Sequence, residues 1–338
     1  MKISESTFYR CPICNQKLSL KIIEKSETEV IKGELYDNNN HKFSILDGIP
    51  RLISKEQMGK SDFSTQKEFD RRAETYDSDK EFMFKTFNED AGKIRNSFAD
   101  LLEVELGSTI LEIGCGTGED SENIIQRLSN ASKYYLADLS ISMINICKKK
   151  TFEKNPSVPT EFALVDGHYL PYPDESFDRT FHFGNIETFS QVELFFKEAA
   201  RVTKKGGIVI MGGESVPIWL RDTNYGKILM NSNPLFEKHL PLEHIPKNAH
   251  NVSIHHFLGE LFYIIKFKIG EDIHPLNLDV EFPSIRGGTH RTRYYGVLEG
   301  VTPKTKELVI QASKKAGKTQ HKWLEDVLNE EVKKELSN

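Results

Sequence analysis

The chain has 338 residues, 38% hydrophobic and 28% charged, with a formal net charge of -5; this is ordinary for a globular protein of one large domain with attachments, or of two domains. The acidic balance excludes a general attraction to nucleic acid, and no apolar run approaches the roughly 20 residues of a membrane span. Four scattered cysteines, too few for a disulfide framework, and an N-terminus without the basic-then-apolar layout of a secretory signal lead us to expect a reducing cytoplasm.

Residues 1–55 read as a leader with its own character. Tyr9-Arg10-Cys11-Pro12-Ile13-Cys14 resembles the first half of a zinc ribbon, and Phe43 to Leu52 resembles the small ribbon-like leader found ahead of some methyltransferases. A closed structural zinc site wants four ligands, commonly two C-x-x-C pairs. Tyr36 and Asn39 stand about where the second pair would fall, leaving His41 as the soft ligand nearby. The expectation is therefore a ribbon held by its apolar residues, with no metal. The alternative is a site of Cys11, Cys14, His41 and one further ligand.

Residues 54–65 are polar and aperiodic and read as a linker. Phe69, Ala73 and Tyr76 then fall at helical spacing on one face, and Phe87, Ile94, Phe98, Leu101 and Leu102 predict a second helix over 85–105. The next stretch organises the chain. An apolar strand, Thr109 to Ile113, stops at Gly114-Cys115-Gly116-Thr117-Gly118, and a helical pattern through Ile124, Ile125 and Leu128 follows. Three glycines put bare backbone at the carboxyl end of a buried strand, where open α/β sheets bind ligands. Position 119 is Glu119 rather than the third glycine of G-x-G-x-x-G. The acidic pair Glu119-Asp120 would repel a pyrophosphate, which favours a cationic or zwitterionic ligand.

These residues resemble motif I of the class I S-adenosylmethionine methyltransferases, a hydrophobic strand followed by E-x-G-x-G-x-G. Three downstream stretches strengthen the resemblance. A strand over 134–137 ends in Asp138, about twenty residues after the glycines. A strand over 160–165 leads into Asp166-Gly167-His168 and Leu170-Pro171-Tyr172-Pro173-Asp174-Glu175-Ser176-Phe177-Asp178, which resembles the family's D-x-x-x-L-P-F-x-D-x-S-F-D run. Arg201 to Gly207 before Ile208-Val209-Ile210-Met211 resembles its R-V-L-K-P-G-G turn. Phe69 to Asp77 resembles the F-D-x-x-A-x-x-Y-D helical lid that many small-molecule methyltransferases place over the cofactor.

The resemblance implies an α/β fold: a Rossmann-like, seven-stranded sheet with helices on both faces, carrying the N-terminal ribbon and a C-terminal helical hairpin. It implies S-adenosylmethionine as cofactor, bound by Tyr76, Glu112, Gly114, Gly116, Gly118, Asp138, Leu139, Met143, Asp166, Gly167, His168 and Phe183. Asp138 would take the ribose hydroxyls and Asp166 the adenine amino group. The expected organisation is leader 1–55, cofactor core 66–213, acceptor-binding cap 214–256, last strands and basic loop 257–300, and hairpin 301–338.

A fourth core strand is predicted over 177–183, leading to Gly184-Asn185-Ile186-Glu187, where a methyl acceptor should approach. Phe183-Gly184-Asn185 is similar to the F-G-L-R-N of the ubiquinone and menaquinone methyltransferases, but Ile186 and Glu187 replace its Arg and Asn. The aromatic and proline-rich stretch 214–256 is the natural acceptor cap. Residues 262–270 and 276–282 read as the last two strands.

The loop Arg286 to Gly296 gathers Arg286, His290, Arg291, Arg293 and Tyr294 beside two glycines. It could clamp a phosphate or carboxylate, or be a solvated loop pairing with the chain's acid. Thr302-Pro303 opens a helix, and Gly317-Lys318 turns the chain into another. The pair resembles the helices of ribbon-helix-helix DNA-binding proteins, yet no basic alternating strand precedes it. A hairpin that docks on the domain or builds a homodimer is expected.

Methyl transfer from a sulfonium is an in-line displacement and mainly needs positioning; an acceptor with an acidic proton also wants a base. His168, His182 and Glu187 are the candidate bases, and Asn185 with the loop at 286–294 the candidate acceptor contacts. The expected activity is methylation of a small molecule, anionic or sugar-like. The alternatives are a ribosomal-RNA methyltransferase, since one such family joins a cysteine ribbon to this core, and a non-catalytic regulatory protein that binds the cofactor.

Overall fold

The computed structural model describes residues 1–295 and 301–337; Gly296, at the end of the basic loop, lies outside them. The chain divides into a first unit, Met1–Ile273, and a second beginning at His274. The first opens with β1 (Ser19–Lys25), β2 (Val30–Tyr36), β3 (Lys42–Leu46), β4 (Ile49–Leu52), α1 (Lys60–Arg72), α2 (Tyr76–Phe87) and α3 (Ala91–Leu101). Then come β5 (Thr109–Ile113), α4 (Ser121–Ile125), β6 (Lys133–Asp138), α5 (Ile141–Lys154), β7 (Thr160–Val165), β8 (Phe177–Phe183) and α6 (Val192–Val202). It closes with β9 (Thr203–Glu214), α7 (Asn224–Ser232), β10 (Ala249–Phe257) and β11 (Phe262–Ile269).

The sheet runs β1-β2-β3-β4-β7-β6-β5-β8-β9-β11-β10 among the described residues. The expected seven strands are β5 to β11. Strands β7, β6, β5, β8 and β9 pair in parallel, and β11 is antiparallel to both β9 and β10. Period-two alternation sets the two faces. From β5, Leu111 and Ile113 join Phe195, Phe196 and Ala199 of α6 on one face. Ile110 joins Phe98 of α3 and Ile144 of α5 on the other. Chain order reverses between β5 and β8, so the ligand crevice belongs at their carboxyl ends.

Three expectations are corrected. The leader continues the sheet edge, because β4 pairs in parallel with β7 (Arg51 opposite Leu164, Leu52 opposite Val165). The supposed linker is helical from Lys60, and its Asp62 is buried, accepting from Ser190 Oγ at 2.6 Å. Residues 276–282 form no strand. Both ladders of β11 are already filled, by β9 and by β10, and β10 arises inside the stretch expected to be cap.

In the second unit, α8 (His290–Tyr295), α9 (Pro303–Lys315) and α10 (Gln320–Leu336) follow an irregular segment. Thr302 and Thr319 cap α9 and α10 through their side chains. The arginine loop does not stand open as a clamp. Arg293 lies over the Phe282 ring, 3.7 Å from its centroid, and donates to Gly287 O at 2.8 Å. Arg291 pairs with Asp279 at 2.9 Å, His290 packs on Phe282, and the Arg286 carbonyl accepts from His321 N. Tyr294 is exposed. Among the described residues no helix is long and apolar enough to cross a membrane.

Candidate active site

The glycine turn is built from backbone that other residues would strain. Gly114, Gly116 and Gly118 have φ of +71°, +54° and +88°. A Cβ on Gly118 would come 2.9 Å from Cys147 Sγ and 3.1 Å from Cys147 Cα, so this glycine lets α5 close on the turn from behind. Gly116 differs: a Cβ there would project toward the Tyr76 ring, 3.9 Å away. Its bare backbone leaves open the space that Tyr76 roofs.

Glu112 and Gly118 stand behind the cleft wall, not in it. Glu112 is buried and accepts from Ser121 Oγ at 2.8 Å and from the Tyr134 hydroxyl. Burial pushes its carboxyl up to about 8, so at neutral pH it is a protonated strut beneath the turn. Glu112→Gln, which keeps an acceptor, is expected to leave stability within about 1 kcal/mol of wild type. Glu112→Ala, which orphans Tyr134, should lower it by about 1–3 kcal/mol in urea denaturation.

Asp138 ends β6 under the turn. Its oxygens accept from Gly116 N and Ser140 N, each at 2.8 Å, and burial raises its carboxyl to about 6. Each oxygen retains a second lone pair facing the cleft, which Leu139 and Met143 also line. Asp166, at the end of β7, accepts through Oδ1 from His168 N at 2.9 Å and His168 Nδ1 at 2.7 Å. Gly167 is needed for close approach, because a Cβ would lie 2.8 Å from the Phe189 ring and 3.1 Å from Phe195.

The lid is two helices broken at 73–75, so Phe69 and Tyr76 leave different helices and meet edge-on at 6.0 Å. Both aspartates of the Phe69 to Asp77 segment anchor it. Asp70 accepts from Ser140 Oγ at 2.6 Å and Ser142 N at 3.1 Å, and Asp77 accepts from Thr117 Oγ1 and Lys150 Nζ. Gln66 adds a bond to Leu139 O at 2.8 Å.

These groups enclose a cleft of about 900 Å³, part of it open to solvent. The Glu119-Asp120 pair is not a free negative charge: buried Arg95 reaches Asp120 at 2.5 Å and Glu119 at 2.7 Å. Asp138 and Asp166 line the cleft from the ends of β6 and β7, both on the same side of β5 in the sheet.

Each of the three candidate bases has a ring nitrogen or a carboxylate oxygen committed to a protein partner. His168 has both ring nitrogens committed, Nδ1 to Asp166 and Nε2 accepting from Gln191 N at 3.2 Å. His182 donates through Nδ1 to Ile113 O at 2.8 Å, its Nε2 is buried, and burial depresses its pKa to about 4. Glu187 is tied up through Oε1, which accepts from Tyr263 OH at 2.6 Å and Glu214 N at 2.9 Å, and Oε2 is buried.

A second cavity, about 1510 Å³ including space open to solvent, adjoins the first. The two share Phe69, Tyr76, Lys80, Phe183, Asn185 and Thr188. Gly184 and Asn185, both with positive φ, turn the chain away at the end of β8 and leave the passage open. Leu235 and Phe236 of the cap and Phe262 of β11 supply apolar wall, and Glu214, the last residue of β9, supplies a carboxylate. No hydrogen bond reaches that carboxylate among the described residues, and burial together with Glu187 raises its pKa to about 7. Sequence reasoning missed Glu214; as a lone acid at a strand end it carries no local signal. The arginine loop and Tyr294 belong to the second unit.

Residues 111–211 match the family model described as a methyltransferase domain. The demethylmenaquinone methyltransferase of Streptomyces griseus subsp. griseus is 32% identical over 143 residues, 41% of this chain and 57% of that protein. The ubiquinone/menaquinone biosynthesis C-methyltransferase of Cellvibrio japonicus is 28% identical over 109 residues, 32% of this chain and 43% of that protein. The fatty-acid O-methyltransferase of Mycolicibacterium smegmatis is 30% identical over 115 residues, 34% and 40% of the two chains. The chain thus spans about half the length of the curated relatives it matches. The residues present fit the cofactor such domains use: the Gly116 cradle admits it without a Cβ, and the acid at Asp138 and Asp166 suits its hydroxyl and amino donors and its positive charge. Over residues 111–211 the chain thus carries a methyltransferase domain, with the strand order and glycine turn that the resemblance to class I S-adenosylmethionine-dependent methyltransferases implied.

Proposed function

We propose that the protein methylates a small molecule held in the second cavity, with Glu214 as the base that takes the acceptor's proton. The carrying observation is that the cofactor cleft shares Asn185 and Thr188 with a cavity walled in part by Leu235, Phe236 and Phe262, where the Glu214 carboxylate, raised to about 7 by burial, has no hydrogen-bond partner among the described residues. S-adenosylmethionine, when bound, supplies an electrophilic methyl group on a sulfonium. Asp138 would hold its ribose and Asp166 its adenine, while Tyr76 and Phe69 would roof it. Glu214 would take the proton that the acceptor heteroatom loses on methylation.

The cavity's cations are already matched: Arg72 to Asp79 at 2.8 Å, Arg95 to the acidic pair, and Lys80 to Glu119 at 3.7 Å. An anionic head would find no open counter-charge. The acceptor we favour therefore has an apolar body and one ionisable O–H or N–H, rather than the anionic or sugar-like character expected from the arginine loop. The names of the relatives span carbon and oxygen acceptors, so the accepting atom rests on the base alone.

The test is label transfer from methyl-labelled S-adenosylmethionine to a panel of phenols, hydroquinones and long-chain acids, with ribosomal RNA alongside. Transfer to an apolar O–H or N–H acceptor, lost in Glu214→Gln, supports the reading. Label on RNA alone, or cofactor binding with no transfer to any acceptor, overturns it.

A further inference from the structure

The leader carries a cluster that cofactor binding and methyl transfer leave unexplained. Cys11 and Cys14 sit on a tight turn, where Asn15 N donates to Cys11 O at 2.8 Å and Cys11 N to Gln16 O at 2.9 Å. Asp37 and His41 flank the loop between β2 and β3. One ligand atom from each of the four residues lies within 4.8 Å of every other. Cys14 Sγ is 3.0 Å from Asp37 Oδ2 and 3.7 Å from His41 Nδ1. Cys11 Sγ is 3.5 Å from the same Nδ1, which is 2.7 Å from Asp37 Oδ2.

These separations resemble the edges of a coordination tetrahedron. With zinc–sulfur near 2.3 Å and zinc–nitrogen or zinc–oxygen near 2.0–2.1 Å, tetrahedral geometry gives ligand–ligand edges of roughly 3.3–3.8 Å. Of the four edges given, the two sulfur–nitrogen edges already fit that range, and the two at the oxygen need to lengthen by about 0.6 Å.

The Asp37 carboxylate is also oriented for the role. Its Oδ1 accepts from Asn39 N at 2.9 Å and His41 N at 3.0 Å, which fixes the group and turns Oδ2 toward the sulfurs. The Asp37 side chain is fully buried, beside an imidazole that is 29% exposed. Such an arrangement places an acid among two thiols and an imidazole, with no lysine or arginine bonded to it among the described residues.

We propose that Cys11, Cys14, Asp37 and His41 form a closed, tetrahedral zinc site that clamps the cysteine turn to the β2–β3 loop. Asp37 supplies the fourth ligand that the missing second cysteine pair left unassigned. Binding releases one proton from each cysteine thiol, while His41 binds through neutral Nδ1 and Asp37 through its carboxylate. Four protein ligands leave no open position, so the site is structural and takes no part in methyl transfer. Two thiolates with one nitrogen and one oxygen suit zinc over magnesium or calcium.

The experiment uses the full chain, purified reduced and without chelator. Elemental analysis should find one zinc per chain, and cobalt(II) added to the metal-stripped protein should give tetrahedral bands with a thiolate charge-transfer band. Because this spectrum is read on the unsubstituted chain, its outcome does not depend on a variant folding. Asp37→Cys should raise the charge-transfer intensity by roughly half, as two thiolates become three. Cys11→Ser with Cys14→Ser should abolish the band. No retained zinc together with no charge-transfer band in the unsubstituted chain overturns the proposal; a band that survives loss of both cysteines, or one unchanged by Asp37→Cys, does so too.

Discussion

Glu214→Gln lowers the rate of methyl transfer by roughly 10²–10⁴-fold, the range general-base catalysis contributes, while cofactor affinity stays near wild type. The glutamine keeps the shape of the cavity wall but cannot take a proton. The pH profile gives the second readout. With the Glu214 carboxyl raised to about 7, the base is protonated and idle in acid, so kcat/KM should climb tenfold per pH unit below about 7 and level off above it. In Glu214→Gln that limb should vanish. Stability should move in the opposite sense. A carboxyl whose folded value is raised above its ordinary 4.5 favours the fold fully below about 4.5, and this contribution fades as pH rises through about 7. The glutamine variant should therefore gain stability relative to wild type at pH 8. A merely structural glutamate would change stability without removing the kinetic limb.

Gly118→Val is expected to destabilise the first unit by about 2–5 kcal/mol in urea denaturation. Two terms add. A non-glycine residue forced into left-handed backbone costs about 1–2 kcal/mol, and Gly118 sits at φ +88°. Forcing side-chain carbon into a packed contact costs about 1–3 kcal/mol, and the contact here is Cys147, backbone included, at 2.9–3.3 Å. Cys147→Ala, which keeps Cβ, should relieve only the part of this due to Sγ. The double variant therefore recovers part of the loss, never the share set by φ.

How far the sequence foretold these features follows from how local each one is. The glycine turn, the acids at the ends of β6 and β7, and the strands over 109–113, 160–165 and 177–183 are written in contiguous residues whose spacing follows backbone geometry. The two Asp residues of the lid segment were visible as a pattern, but their anchoring to Ser140, Thr117 and Lys150 became visible only once segments 40 to 73 residues apart had folded together. Glu187 sits beside the expected acceptor turn in sequence, yet its carboxylate faces Tyr263, leaving Glu214 one strand over to face the cavity. Strand β10 was missed because it is an edge strand carrying His250, Asn251, Ser253, His255 and His256, which lack the apolar alternation of a half-buried strand. Leu276, Leu278 and Val280 show that alternation without a partner. Asp37 was overlooked because a search for a second cysteine pair gives no weight to a carboxylate, whereas folding of β2 onto β3 brings it to Cys14.

The most direct measurement is calorimetric titration of the full chain with S-adenosylhomocysteine, beside Asp138→Ala. The account predicts one saturable site in the wild type. In the variant, affinity should fall roughly tenfold to hundredfold, the loss expected from one hydrogen-bond acceptor that carries charge, about 1.5–3 kcal/mol, with circular dichroism unchanged. A wild-type chain that takes up no ligand, or a variant that binds as tightly as wild type, would contradict it.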